Sequence, residues 1–94
     1  MALSKSEVET RLAGMDGWKR DDEEIEKKFQ FAGFKQAMAF VNRVADAADA
    51  ADHHPDIKIS YDKVKMSLST HSEGGVTEKD FALAAQIDAA AQAG

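Results

Sequence analysis

The chain is expected to fold as an α+β domain: three helices packed on one face of a four-stranded antiparallel sheet, in the order α-β-β-α-β-β-α. Three observations predict this. Apolar residues recur at spacings of three and four from Phe34 to Ala48, and again after Thr77, which is the mark of helices that bury one face. They alternate at period two from Ile25 to Phe31, from Ile57 to Tyr61 and from Val64 to Leu68, which is the mark of strands. Only short polar or glycine-containing stretches separate these segments, and 94 residues suffice for one two-layer domain spanning 1–94 but not for two.

Each element follows from its local chemistry. Ser4 or Ser6 can cap a first short helix, with Val8 and Leu12 on one side and Glu7 and Glu9 near the positive end of its dipole. Gly14 and Gly17 end it. Trp18-Lys19-Arg20 reads as a short strand, and Asp21-Asp22-Glu23-Glu24 as a polar turn. Ile25, Lys27, Phe29 and Phe31 then share one strand face, with Glu26, Lys28 and Gln30 opposite and Lys27 interrupting the apolar row.

The central helix carries Phe34, Ala37, Met38, Val41, Val44, Ala45 and Ala48, and it ends before His53. Pro55 cannot continue a helix and disfavours helical geometry at His54. A hairpin follows, with Asp62-Lys63 as its expected two-residue turn. Gly74-Gly75 gives a loop, and Thr77 caps a last helix bearing Phe81, Leu83, Ala84, Ile87 and Ala91. Phe29, Phe31, Phe34, Phe40 and Phe81 are expected in the core, with Met38 and Met66 filling it.

Composition narrows the possible functions. Without cysteine there is no disulfide, thiolate nucleophile or zinc finger. A net charge of −5 repels phosphate backbones, and acids interleave the densest basic spots, so direct nucleic-acid binding is not expected. No apolar run reaches the ~20 residues of a membrane span, and residues 1–5 lack a signal-peptide stretch. A cytoplasmic protein is the expectation.

All three histidines, His53, His54 and His71, fall within nineteen residues of one another. Imidazole both gives and takes a proton near neutral pH, so their concentration proposes a proton-transfer site. With the turn at Asp62-Lys63, Tyr61 opposes Val64, Ile57 opposes Leu68 and His54 opposes His71, so the three gather at the open end of the hairpin. A surface or capping role is the ordinary fate of any one histidine. Zinc held by imidazoles with Asp52 or Asp80 is a second alternative. Against it, neighbours on an extended segment point to opposite faces, so His53 and His54 do not easily reach one ion. Asp80 has a structural alternative of its own, because Thr77-x-x-Asp80 has the spacing of a capping box.

The segments Asp52-His53-His54-Pro55-Asp56, Tyr61-Asp62-Lys63-Val64, Leu68-Ser69-Thr70-His71 and Gly75-Val76-Thr77-Glu78-Lys79-Asp80 resemble those of the pterin-4a-carbinolamine dehydratases. Gly17-Trp18 and Phe29-x-Phe31-x-x-Phe34, leading through Ala37 and Phe40 to Arg43-Val44-Ala45, extend the resemblance over nearly the whole chain. Some family members carry Trp where this chain has Ile57. The resemblance implies dehydration of 4a-hydroxytetrahydrobiopterin to quinonoid dihydropterin, supporting tetrahydrobiopterin recycling beside an aromatic amino acid hydroxylase. It implies no metal and no cofactor, the pterin being the substrate.

It also implies site roles. His53 and His71 form the acid–base pair, His54 orients the pterin, and Asp80 fixes a histidine's tautomer or charge. Asp52 supports the pair or touches the ligand, while Ser69, Thr70 and Ser72 offer polar groups to the ring's amide edge. A homodimer or homotetramer is implied, with sheets pairing between subunits, and an unpaired edge strand gives an independent reason to expect one. Similar proteins also act as dimerisation cofactors of a transcription factor. The alternative reading is therefore a non-catalytic coactivator or assembly-factor binding module on the same fold.

Overall fold

The computed structural model describes residues 1–93. It opens with α1 (Lys5–Leu12), and of the two candidate serines Ser4 is the cap. Ser4 Oγ accepts from the Glu7 N–H at 3.1 Å while Glu7 Oε1 accepts from the Ser4 N–H at 3.0 Å. There follow β1 (Lys19–Asp21), β2 (Glu24–Gln30), α2 (Phe34–Ala51), β3 (Asp56–Ser60), β4 (Lys63–Leu68), a single 3-10 turn over His71–Glu73, and α3 (Glu78–Gln92). The strands form one antiparallel sheet in the order β1-β2-β4-β3. This is the predicted α+β architecture, with the predicted element order.

Register explains why one sheet face is apolar. Ile25 pairs with Leu68, Lys27 with Met66 and Phe29 with Val64, so these side chains share a face. Ile25, Val64, Met66 and Leu68 are buried there with Phe40 and Val44 of α2 and Leu83 and Ile87 of α3. Lys27, which interrupts this row, keeps its stem in the layer and its charge paired. Its Nζ donates to Asp88 Oδ1 of α3 at 2.9 Å and lies 4.9 Å from the Phe29 ring centroid. Trp18 Nε1 donates to the same carboxylate, at 3.1 and 3.0 Å from its two oxygens.

Three local expectations are corrected. The β3–β4 turn is Tyr61-Asp62 rather than Asp62-Lys63, because Ser60 pairs with Lys63 and Ile57 with Met66. Tyr61 therefore takes a positive φ of 55°. The turn is held from the end of β2 and the residue that follows it, since the Asp62 carbonyl accepts from the Phe31 N–H at 2.9 Å and Asp62 Oδ2 from Gln30 Nε2 at 3.2 Å. Second, Phe34 begins α2 and is half exposed, outside the core in which it was expected, and Ala45 is exposed as well. Third, the first hairpin turns on two residues, Asp22-Glu23, with Asp22 at φ 59°, so the flanking acids Asp21 and Glu24 belong to strands.

Candidate active site

Local backbone chemistry separates the adjacent histidines. Asp52 ends α2 in the left-handed conformation (φ 51°, ψ 42°), a geometry that Asp tolerates better than most residues. The Asp52 N–H donates to the Asp49 carbonyl at 3.2 Å and the His53 N–H to the Ala48 carbonyl at 3.1 Å, so two carbonyls of the last turn are satisfied as the chain leaves the helix. From this corner His53 turns inward and His54 outward. His53 Nε2 lies 2.5 Å from Asp80 Oδ1, with 13% of the His53 side chain exposed and none of Asp80. His54 Nε2 lies 2.8 Å from Asp49 Oδ1, and both of those side chains are largely exposed.

Asp80 is positioned by the start of α3. Thr77 caps that helix, its Oγ1 accepting from the Lys79 N–H at 3.2 Å while Asp80 Oδ2 accepts from the Thr77 N–H at 2.9 Å. Thr70 Oγ1 also donates to Asp80 Oδ2 at 2.9 Å and lies 2.8 Å from Thr77 Oγ1. One carboxylate oxygen therefore closes the start of α3 while the other meets His53.

His71 begins the 3-10 turn. Its side chain is exposed, and its ring makes no hydrogen bond to the described residues. Thr70 and Gly75 clamp the loop that carries it, with the Thr70 N–H donating to the Gly75 carbonyl at 2.9 Å and the Gly75 N–H to the Thr70 carbonyl at 3.3 Å. The loop is also tied to the start of the chain, where the Leu3 N–H donates to the Val76 carbonyl at 2.8 Å.

These residues line one open recess of about 340 Å³, made by Asp52, His53, His54, Ser69, Thr70, His71, Ser72 and Lys79. Every residue expected to touch substrate lies along it, and Asp80 sits fully buried behind His53. Their availability differs. The Thr70 hydroxyl and both of its main-chain groups are engaged within the protein. Ser69 Oγ donates to the Glu23 carbonyl at 2.9 Å, whereas the Ser72 hydroxyl makes no hydrogen bond to the described residues. The sequence marks Thr77 only as a helix cap and does not single out Lys79 or Asp49. Each stood within five residues of a chosen one, and Lys79 is the one cation in the lining.

A second recess of about 520 Å³ adjoins the first, sharing Ser69 and His71 and running along Asp21, Asp22, Glu23 and Glu24. Burial pushes the Glu24 carboxyl above its ordinary range, and repulsion from Asp21, Glu26 and Asp56 adds to the shift. Among the described residues no group of three or more His, Asp or Glu side chains is arranged to hold a metal ion. Nor is any helix among them long and apolar enough to cross a membrane.

The site thus offers one imidazole braced by a buried carboxylate and a second imidazole exposed in the same recess. Fold and recess together define a small α+β domain with a histidine-lined recess at the open end of its second hairpin. The chain belongs to the pterin 4 alpha carbinolamine dehydratase family, whose model matches residues 1–90.

A relative from Roseiflexus sp. (strain RS-1) is 55% identical over 86 residues, covering 92% of each chain. Another, from Sulfolobus acidocaldarius, is 44% identical over 88 residues, covering 94% of this chain and 97% of its own. Both carry the name "Putative pterin-4-alpha-carbinolamine dehydratase". Among solved structures, a transcriptional coactivator/pterin dehydratase from Brucella melitensis is similar with a TM-score of 0.92 and 39% identity, over 97% of this chain and 99% of that one. A pterin dehydratase-like protein identified as a RuBisCO assembly factor in the alpha-carboxysome is similar with a TM-score of 0.65 and 27% identity, over 79% and 86%.

Proposed function

We propose that the protein removes water from 4a-hydroxytetrahydrobiopterin to give quinonoid dihydropterin, by histidine acid–base catalysis. The observation that carries this reading is the pairing of His53 with buried Asp80 in the same recess as exposed His71. In the reaction the 4a-hydroxyl leaves with a proton as water, and a neighbouring ring nitrogen gives up a proton. Two imidazoles can do both transfers, each worth ~10²–10⁴-fold. His53 and His71 are the pair, and His54, steadied by Asp49, holds the heterocycle with Asp52, Ser69 and Ser72 at the rim. The chemistry asks for no metal and no redox cofactor, so the pterin enters as substrate alone.

The physiological setting in this proposal is pterin recycling beside an aromatic amino acid hydroxylase, in the cytoplasm. The protein works as a homodimer or homotetramer. All five residues of edge strand β3 are exposed, with Ile57 and Ile59 at 37% and 38%, so an open ladder with apolar side chains is ready to pair with a second copy. Sedimentation equilibrium tests this, and a monomer at micromolar concentration rejects it.

The second reading is a binding module without turnover, favoured by the two structural relatives described as a coactivator and as an assembly factor. Stopped-flow dehydration of freshly generated carbinolamine separates the two. Acceleration above the spontaneous rate supports the enzyme, and a spontaneous rate in the presence of folded protein leaves the binding module.

A further inference from the structure

We infer that Thr70 is a positioning residue that, with the main chain of Thr77, acts through Asp80 to make Nδ1 the working nitrogen of His53. The Thr77 N–H can only donate, and it meets Asp80 Oδ2 at 2.9 Å, so that oxygen must accept. The Thr70 hydroxyl donates to the same oxygen at 2.9 Å. With its one proton so used, Thr70 Oγ1 accepts from the Thr77 hydroxyl at 2.8 Å, and the Thr77 oxygen accepts in turn from the Lys79 N–H. The direction of this buried chain is set at Oδ2, which as a carboxylate oxygen only accepts, so the Thr70 hydroxyl donates to it and the Thr77 hydroxyl donates to Thr70.

Only Oδ1 is left for His53, 2.5 Å from Nε2. A neutral imidazole carrying its proton on Nδ1 would set two lone pairs against each other at that distance. The base form of the pair therefore has its proton between Nε2 and Oδ1 and a bare lone pair on Nδ1. Adding a proton fills Nδ1, whichever side of the short bond holds the first one. Nδ1 has no hydrogen-bond partner among the described residues, and His53 lines the recess. Proton exchange with a ligand thus takes place at Nδ1 in either direction.

The inference rests on the proposed dehydration only for its kinetic readout, since tautomer and polarity are spectroscopic properties of the resting protein. The test is ¹⁵N spectroscopy of the imidazoles in histidine-labelled protein at a pH where His53 is neutral. The wild type is expected to carry its proton on Nε2. In Asp80→Asn the Thr77 N–H and Thr70 hydroxyl both demand the amide oxygen, which turns the NH₂ group toward Nε2. Nε2 must then accept, and the tautomer inverts to Nδ1–H. Dehydration in that variant is expected to fall at least ~100-fold in kcat with KM within about threefold.

Thr70→Val is expected to lose roughly tenfold in kcat at unchanged KM, and Thr70→Ser to restore it. A wild-type Nδ1–H tautomer, or an unchanged tautomer in folded Asp80→Asn, overturns the assignment. A folded Thr70→Val within twofold of wild type overturns the role of Thr70. The expected tautomers in a protein that accelerates nothing support the polarity argument while sinking the dehydratase reading.

Discussion

His53 and Asp80, 27 residues apart in the chain, meet at 2.5 Å, and the same carboxylate closes the first turn of α3 through the Thr77 N–H. One buried acid therefore couples the end of α2 to the start of α3 and braces a histidine at the edge of the recess.

Asp80→Ala should consequently cost stability as well as turnover. It removes a cap and leaves the Thr77 N–H and the Thr70 hydroxyl without their acceptor, a loss of about 2–4 kcal/mol. Asp49→Ala, which removes only the exposed partner of His54, should stay within about 0.5 kcal/mol. Urea unfolding of both variants checks the contrast, and equal losses would contradict it.

His54 is exposed and, among the described residues, bonds only Asp49, so in the proposed reaction it holds the ligand rather than moving the key protons. His54→Ala is expected to raise KM about tenfold and to leave kcat within about twofold. A collapse of kcat at constant KM would reassign it to the acid–base pair.

Asp88 ties Trp18 and β2 to α3. It accepts from Trp18 Nε1 and Lys27 Nζ, and removing it strands the Lys27 charge on the apolar sheet face. Asp88→Ala should lose about 2–3 kcal/mol and shift the Trp18 emission. The folded fraction should keep full dehydration activity, because Asp88 lies outside both recesses that His71 lines.

Glu24 supplies a pH signature. Its carboxyl is held above the ordinary 4.5, first by burial and then by neighbouring acids. The folded state therefore binds that proton more readily than the unfolded chain does. Its favourable contribution is complete below 4.5 and is lost as the pH rises through the folded value. Glu24→Gln should raise Tm at neutral pH, and the gain should vanish well below 4.5. A gain of equal size at both ends of the titration would contradict this.

Most of the architecture was legible because helix and strand periods differ and the breaks between them are short. The hairpin register was not. Moving the turn from Asp62-Lys63 to Tyr61-Asp62 shifts pairing by two residues, and a two-residue slip leaves every side chain on the same face. Alternation cannot register such a slip, and turn preference favoured Asp over Tyr at a left-handed position that hydrogen bonds from the end of β2 and from Phe31 nevertheless impose. The same invariance is why the histidines still line one recess. Lys27 looked like a flaw in its strand because its partner Asp88 lies 61 residues away on α3. The Thr77–Thr70–Asp80 connection was hidden likewise, since only the loop through His71 brings Thr70 against the start of α3.

The most direct measurement is carbinolamine dehydration, with substrate generated in situ by an aromatic amino acid hydroxylase, a chelator present and the spontaneous rate subtracted. His71 is exposed and its ring bonds nothing within the described protein, so His71→Ala should fold as the wild type does. Wild-type acceleration that survives chelation and drops at least ~100-fold in His71→Ala is the predicted result. Undiminished turnover by the folded variant, or none by the wild type, would contradict a histidine dehydratase.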